Sequence, residues 1–83
     1  MNDALLNQMR EVFSRFISDA NELDTVFRGE PILEATSIDS MAMLHLVTDL
    51  EKEFGVQFSL ETIDKTFESI DILATFLKEN RGD

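Results

Sequence analysis

Three stretches of this chain repeat their apolar residues every three or four positions, and that period restricts its fold more than any other feature. From Asp3 to Ser18, Leu5, Leu6, Met9, Val12, Phe13, Phe16 and Ile17 keep helical spacing, with Asn7, Arg10, Glu11, Ser14 and Arg15 opposite. A second stretch starts near Ser40 and runs to Phe54, where Gly55 supplies a C-terminal stop. The third begins near Ser69, with Ile70, Leu73, Ala74 and Leu77 on one stripe that Ile72 and Phe76 widen. A stripe of period 3.6 must be covered by another element, so the spacing predicts helices packed on a shared core. Between the first two, Asp19 to Thr36 loses the period and carries Asn21, Gly29 and Pro31. It reads as a long first loop with room for a helical turn, anchored by Leu23, Val26, Phe27, Ile32 and Leu33. Structureless connections of this length are uncommon unless functional or disordered, and the apolar anchors argue against disorder. Ser59 is placed to cap a short helical segment from Leu60 to about Lys65, and the polar tail from Glu79 to Asp83 is expected to fray. The expected fold is all-α: one domain over residues 1–83, a small four-helix bundle of three main helices, one short helix and a long first loop.

Size narrows the function classes. A chain of 83 residues buries roughly 60 to 65% of the surface its unfolded form exposes, which leaves little room for an enclosed catalytic cleft. A binding module or carrier fits better than an enzyme. With no cysteine, disulfides, zinc-thiolate sites and thiol nucleophiles are all excluded. The core must hold by packing, for which seven Phe and many aliphatic residues suffice at about 1.5 to 3 kcal/mol per well-buried large side chain. Seven Lys and Arg against 17 Asp and Glu give 7 − 17 = −10, a charge that repels nucleic acid and anionic membranes and either attracts basic partners or simply keeps a small domain soluble. No apolar run approaches the roughly 18 residues of a membrane span, and the N-terminus lacks the pattern of a signal peptide. A monomer in the cytoplasm, without membrane insertion, is the expectation.

The second helix has two unlike faces. At about 100° per residue, Met43, Leu46, Val47, Leu50 and Phe54 share one arc and form the expected buried stripe. Met41, His45, Thr48 and Lys52 fall opposite, with Leu44 at the edge and Glu51 close to it. Met41 is thus expected to point outward, where a flexible, polarizable side chain suits docking to several partner surfaces. Asp39, Met41, Leu44, His45, Thr48, Glu51 and Lys52 are the candidate partner-recognition residues.

Ser40 opens this helix. The first amides of a helix lack intrahelical acceptors and the macrodipole is positive there, so a phosphate ester on Ser40 would be favoured. The same position selects Ser, Thr, Asp and Asn as caps worth about 1 kcal/mol. Thr36-Ser37-Ile38-Asp39 also has the form of a capping box. Local chemistry alone favours the cap over modification, but the two coexist if Asp39 or Ser37 caps and the Ser40 hydroxyl faces solvent. Nucleophilic catalysis would need a base, and the lone histidine, His45, lies about 140° around the helix from Ser40. The acidic residues lack the spacing of a calcium loop, so neither catalytic nor metal-ligating residues are assigned.

The run Ile38-Asp39-Ser40-Met41, then Leu44-His45-Leu46-Val47, then Leu50-Glu51-Lys52-Glu53-Phe54-Gly55-Val56, resembles the core of acyl carrier proteins. Asp39-Ser40-Met41 stands where the family has Asp-Ser-Leu, and the order of helices resembles the family's along essentially the full chain. The resemblance implies that Ser40 carries 4′-phosphopantetheine, transferred from coenzyme A by a separate magnesium-dependent phosphopantetheinyl transferase. It also implies that the terminal thiol of that group holds acyl or aminoacyl thioesters for loading and processing enzymes, so that the reactive sulfur belongs to the prosthetic group.

The chain departs from the family in places. Ser37 occupies the position, two before the Asp, where glycine is usual. Ala42, His45 and Lys52 stand on a face that the carriers of bacterial fatty acid synthesis tend to make acidic, and Glu51 and Glu53 keep only part of that charge. These differences imply a specialised carrier of a secondary pathway. Met41 for Leu conserves volume and should preserve docking. The competing reading is a small acidic helical adaptor in which Asp39-Ser40 only caps a helix and Met41 binds a protein.

Overall fold

The computed structural model describes residues 3–80, which form six helices and no strand. Helix α1 (Asp3–Ser14) buries Leu5, Met9, Val12 and Phe13, the stripe expected from their spacing. Its regular part ends earlier than the sequence indicates. The amides of Arg15 and Phe16 bond to the carbonyls three residues back, at 3.1 and 3.0 Å, which tightens the last turn and still brings Ile17 into the core. Helix α4 (Ser40–Phe54) lies against α1 and buries Leu46, Val47, Leu50 and Phe54, while Met43 is half-buried. It stops at Gly55, whose φ of 65° is left-handed and lets the Gly55 and Val56 amides both reach the Glu51 carbonyl. Helix α6 (Ile70–Asn80) completes the core with Ile70, Leu73, Ala74 and Leu77. Ile72, expected on its buried stripe, is exposed, and Phe76 is half-buried. Of the polar tail, Arg81 to Asp83 lie outside the described residues.

The long first loop requires correction. It holds a two-turn helix, α2 (Ala20–Phe27), and a single turn, α3 (Ile32–Ala35). Asp19 starts α2 by accepting from the amides of Asn21 and Glu22, and Leu23 and Val26 point into the core. Phe27 sets its ring edge-on to Phe13 at 5.4 Å, and Arg10 lies over the Phe27 ring and pairs with Asp24. These contacts to α1 supply what two turns of helix lack in isolation. Gly29, at φ 108°, turns the chain before Pro31. Of the expected anchors, Ile32 is fully buried, but Leu33 is 64% exposed, because a single turn directs only one of two adjacent side chains inward. The Ile32 amide donates to the Glu68 carbonyl at 3.2 Å, tying this segment to the approach to α6.

The short helix expected at Leu60–Lys65 lies later, as α5 (Ile63–Thr66). Ser59 does accept from the Glu61 amide, but it caps a turn rather than the helix. Thr66, buried in α5, donates its hydroxyl to the Thr62 carbonyl at 3.0 Å, and among the described residues no buried side-chain polar atom lacks a partner. Phe58 packs on Phe67 and Phe76 with ring centroids 5.1 and 4.9 Å apart, closing the core between α4, α5 and α6.

Candidate functional site

The four residues before Ser40 are each held. Thr36 donates its hydroxyl to the Ile32 carbonyl at 3.0 Å, so it finishes α3 and does not form a capping box with Asp39. Ser37 gives its amide and its hydroxyl to the Glu22 carboxylate on α2. Ile38 is half-buried against the core. Asp39, with extended backbone, is the N-cap of α4: its side chain accepts from the Ala42 amide at 2.8 Å, and its carbonyl takes the first helical bond, from Met43.

Ser40 is therefore the first helical residue and not the cap. It is exposed, and its hydroxyl makes no hydrogen bond among the described residues. The group is displayed rather than used by the fold. It lies at the positive end of a 15-residue helix whose first turn contains no acidic side chain. The carboxylate of the adjoining Asp39 accepts from the Ala42 amide. This setting fits a phosphodiester on Oγ, because the Ser40 and Met41 amides have no acceptor among the described residues and the dipole favours an anion. His45 is exposed and forms no bond with Ser40, and among the described residues no cluster of three His, Cys, Asp or Glu side chains is placed to hold a metal ion.

Around Ser40 the surface is apolar. An open cleft of about 380 Å³ includes Ser40 and is lined by Met43, Leu44 and Val47 of α4 and by Leu60, Ile63 and Phe67, with Leu33 and Asp64 completing it. Met41 is 64% exposed and Leu44 60%, as the helical wheel expects. Leu33 and Leu60 are exposed as well, so four of the five exposed large apolar side chains among the described residues belong to this cleft or to the residue beside Ser40. These side chains gather in one place, whereas scattered exposed apolar residues would need no explanation. The sequence reading omitted Leu33 and Leu60 from this surface, since neither lies on the patterned face of a long helix.

The remaining recognition candidates divide by what the chain already does with them. His45, Thr48 and Lys52 are exposed on the outward side of α4, with the Thr48 hydroxyl donating back to the Leu44 carbonyl. Glu51 is half-buried and accepts from the Phe58 amide at 3.0 Å. Asp49 and Glu53 both pair with Arg15, at 3.3 and 3.2 Å, and these bonds, Glu53 first, raise the Arg15 guanidinium above its ordinary pKa. All three carboxylates of α4 are thus bonded within the chain, and the cleft beside Ser40 is apolar apart from Ser40 itself and Asp64.

The family model described as the phosphopantetheine attachment site matches residues 7–77, which includes the whole of this site. Neither the curated proteins nor the solved structures searched give a match. The helical architecture, the displayed serine and a match over most of the sequence agree. The chain belongs to the phosphopantetheine attachment site family, the carrier domains that bear a covalently attached 4′-phosphopantetheine.

Proposed function

We propose that this protein is a carrier that holds acyl or aminoacyl groups as thioesters on a 4′-phosphopantetheine arm attached to Ser40, delivering them to partner enzymes. The carrying observation is the exposed Ser40 hydroxyl, unbonded among the described residues because Asp39 does the capping, in a chain matched by the family model. In the attachment step the Ser40 O–H bond is exchanged for an Oγ–P bond, the adenosine bisphosphate half of coenzyme A leaves, and the proton passes to a base outside this chain. When bound, the arm supplies the thiol that the cysteine-free chain lacks. The chain's own residues present the hydroxyl, place a positive helix end beneath the phosphate and offer a docking surface, formed by Met41 and Leu44 with His45, Thr48 and Lys52 beside them. Chemistry on the cargo falls to partners. These are a phosphopantetheinyl transferase and the enzymes that load and process the acyl or aminoacyl group, and the departure from an acidic α4 face supports service in a specialised, cytoplasmic biosynthetic pathway rather than in housekeeping fatty acid synthesis.

The adaptor reading leaves the Ser40 hydroxyl without a role. The test is the intact mass after incubation with coenzyme A, magnesium and a broad-specificity phosphopantetheinyl transferase. Addition of one phosphopantetheinyl group to the wild type and none to Ser40→Ala is expected. An unmodified wild type that is folded would refute the carrier reading in favour of the adaptor.

A further inference from the structure

The segment that presents Ser40 is joined to a distant part of the chain by one carboxylate. Glu22, in the first turn of α2, accepts the Ser37 amide at 3.0 Å through Oε1. Its two oxygens also receive the Ser37 hydroxyl, at 3.3 and 3.4 Å. Glu22 is half-buried, pairs with no cation, and has Ser37 as its only side-chain hydrogen-bond partner among the described residues. The other restraints on this segment are local: Thr36 bonds four residues back and Asp39 three residues ahead. Among the described residues, the Glu22 contact is the only hydrogen bond from residues 36–39 to an element other than the flanking α3 and α4, and the half-buried Ile38 packs on the core beside it. A glycine at position 37 would keep the amide bond but could not supply the hydroxyl.

We propose that Glu22 is a positioning residue for modification at Ser40, clamping Ser37 so that the hydroxyl three residues on is already in the geometry a transferase accepts. The inference rests on the carrier reading. Without the clamp the segment samples other paths, only a fraction of the free protein is competent to dock, and the apparent affinity falls by that fraction. The reacting groups are unchanged once the complex has formed. The signature is therefore a higher KM for the apo-protein with kcat preserved.

The test is steady-state transfer of phosphopantetheine from coenzyme A by a purified broad-specificity transferase, with amide hydrogen exchange at Ser37 measured by NMR. Glu22→Ala is expected to raise KM about fivefold with kcat within about twofold, and to speed Ser37 exchange by a similar factor. Glu22→Gln keeps a carbonyl acceptor and should restore KM to within about twofold of wild type. Both variants lose the favourable charge at the α2 N-terminus, so the difference between them isolates the hydrogen bond. Ser37→Asp, which sets two carboxylates against each other, opens the clamp without altering α2 and should reproduce the Ala result if Glu22→Ala folds poorly. A wild-type KM in Glu22→Ala or in Ser37→Asp, or a Gln variant as impaired as Ala, overturns the proposal. If wild type itself takes up no phosphopantetheine, it is the carrier reading that fails.

Discussion

Asp39 and Ser40 are neighbours with opposite expected costs on removal, and the contrast tests whether the serine is displayed or structural. Asp39→Ala deletes the acceptor of the Ala42 amide, a 2.8 Å charge-assisted bond at an exposed helix end. Losing such a cap costs about 1 kcal/mol, within a range of roughly 0.5 to 2. For a domain of this size each kcal/mol lowers Tm by roughly 4 to 8 °C. Ser40→Ala removes a hydroxyl that bonds to nothing described and introduces a better helix former, so a change within about 0.5 kcal/mol of zero is expected. Thermal unfolding followed by far-UV circular dichroism on the apo-proteins reads both, with Asp39→Asn as a control that keeps the cap. Intact mass after transferase treatment separates them again, since Ser40→Ala must abolish attachment. A Tm loss in Ser40→Ala as large as that in Asp39→Ala would refute the division of roles, showing that the serine holds the helix start.

Two further substitutions probe the surface and the core. Met41→Glu should raise the transferase KM for the apo-protein while leaving Tm within a few degrees, because Met41 is 64% exposed; a collapse of the thermal transition would contradict its outward placement. Leu50→Ala empties a fully buried position on the opposite face of the same helix and should cost about 2 to 5 kcal/mol in chemical denaturation, and a loss below 1 kcal/mol would show that the α4 stripe is not the core.

The three main helices were legible because each carries a long apolar stripe whose burial stabilises it, and Leu46, Val47 and Leu50 sit where the wheel places them. Helix α2 was not. Its two turns supply only Leu23, Val26 and Phe27 as pattern, flanked by Gly29 and Pro31, and its contacts to Phe13 and Arg10 lie far off in sequence. The Asp19 cap was a readable signal for its start. For the site, Ser40 stood out because helix-end chemistry is local, as did Met41 because its angle on a long helix is fixed. The Thr36 capping box failed because α3 claims that hydroxyl first. The Glu22 contact joins residues 15 apart that share no periodicity, and Leu60 is carried on a turn, so neither could be found by spacing.

An apolar surface beside Ser40 in a chain of net charge −10 would, for the proposed docking, separate how often a partner arrives from how long it stays. The net charge of −10 is spread over the molecule, α4 included, because a carboxylate that accepts an amide keeps its charge and Arg15 offsets only one of Asp49 and Glu53; it acts over the screening length of about 8 to 10 Å, so it governs encounter and fades with salt. The proposed contact on Met41 and Leu44 is mainly apolar, with Asp64 the carboxylate that lines the adjoining cleft, so apolar burial rather than charge would govern residence. For a basic partner, added salt should thus slow association while changing the dissociation rate far less.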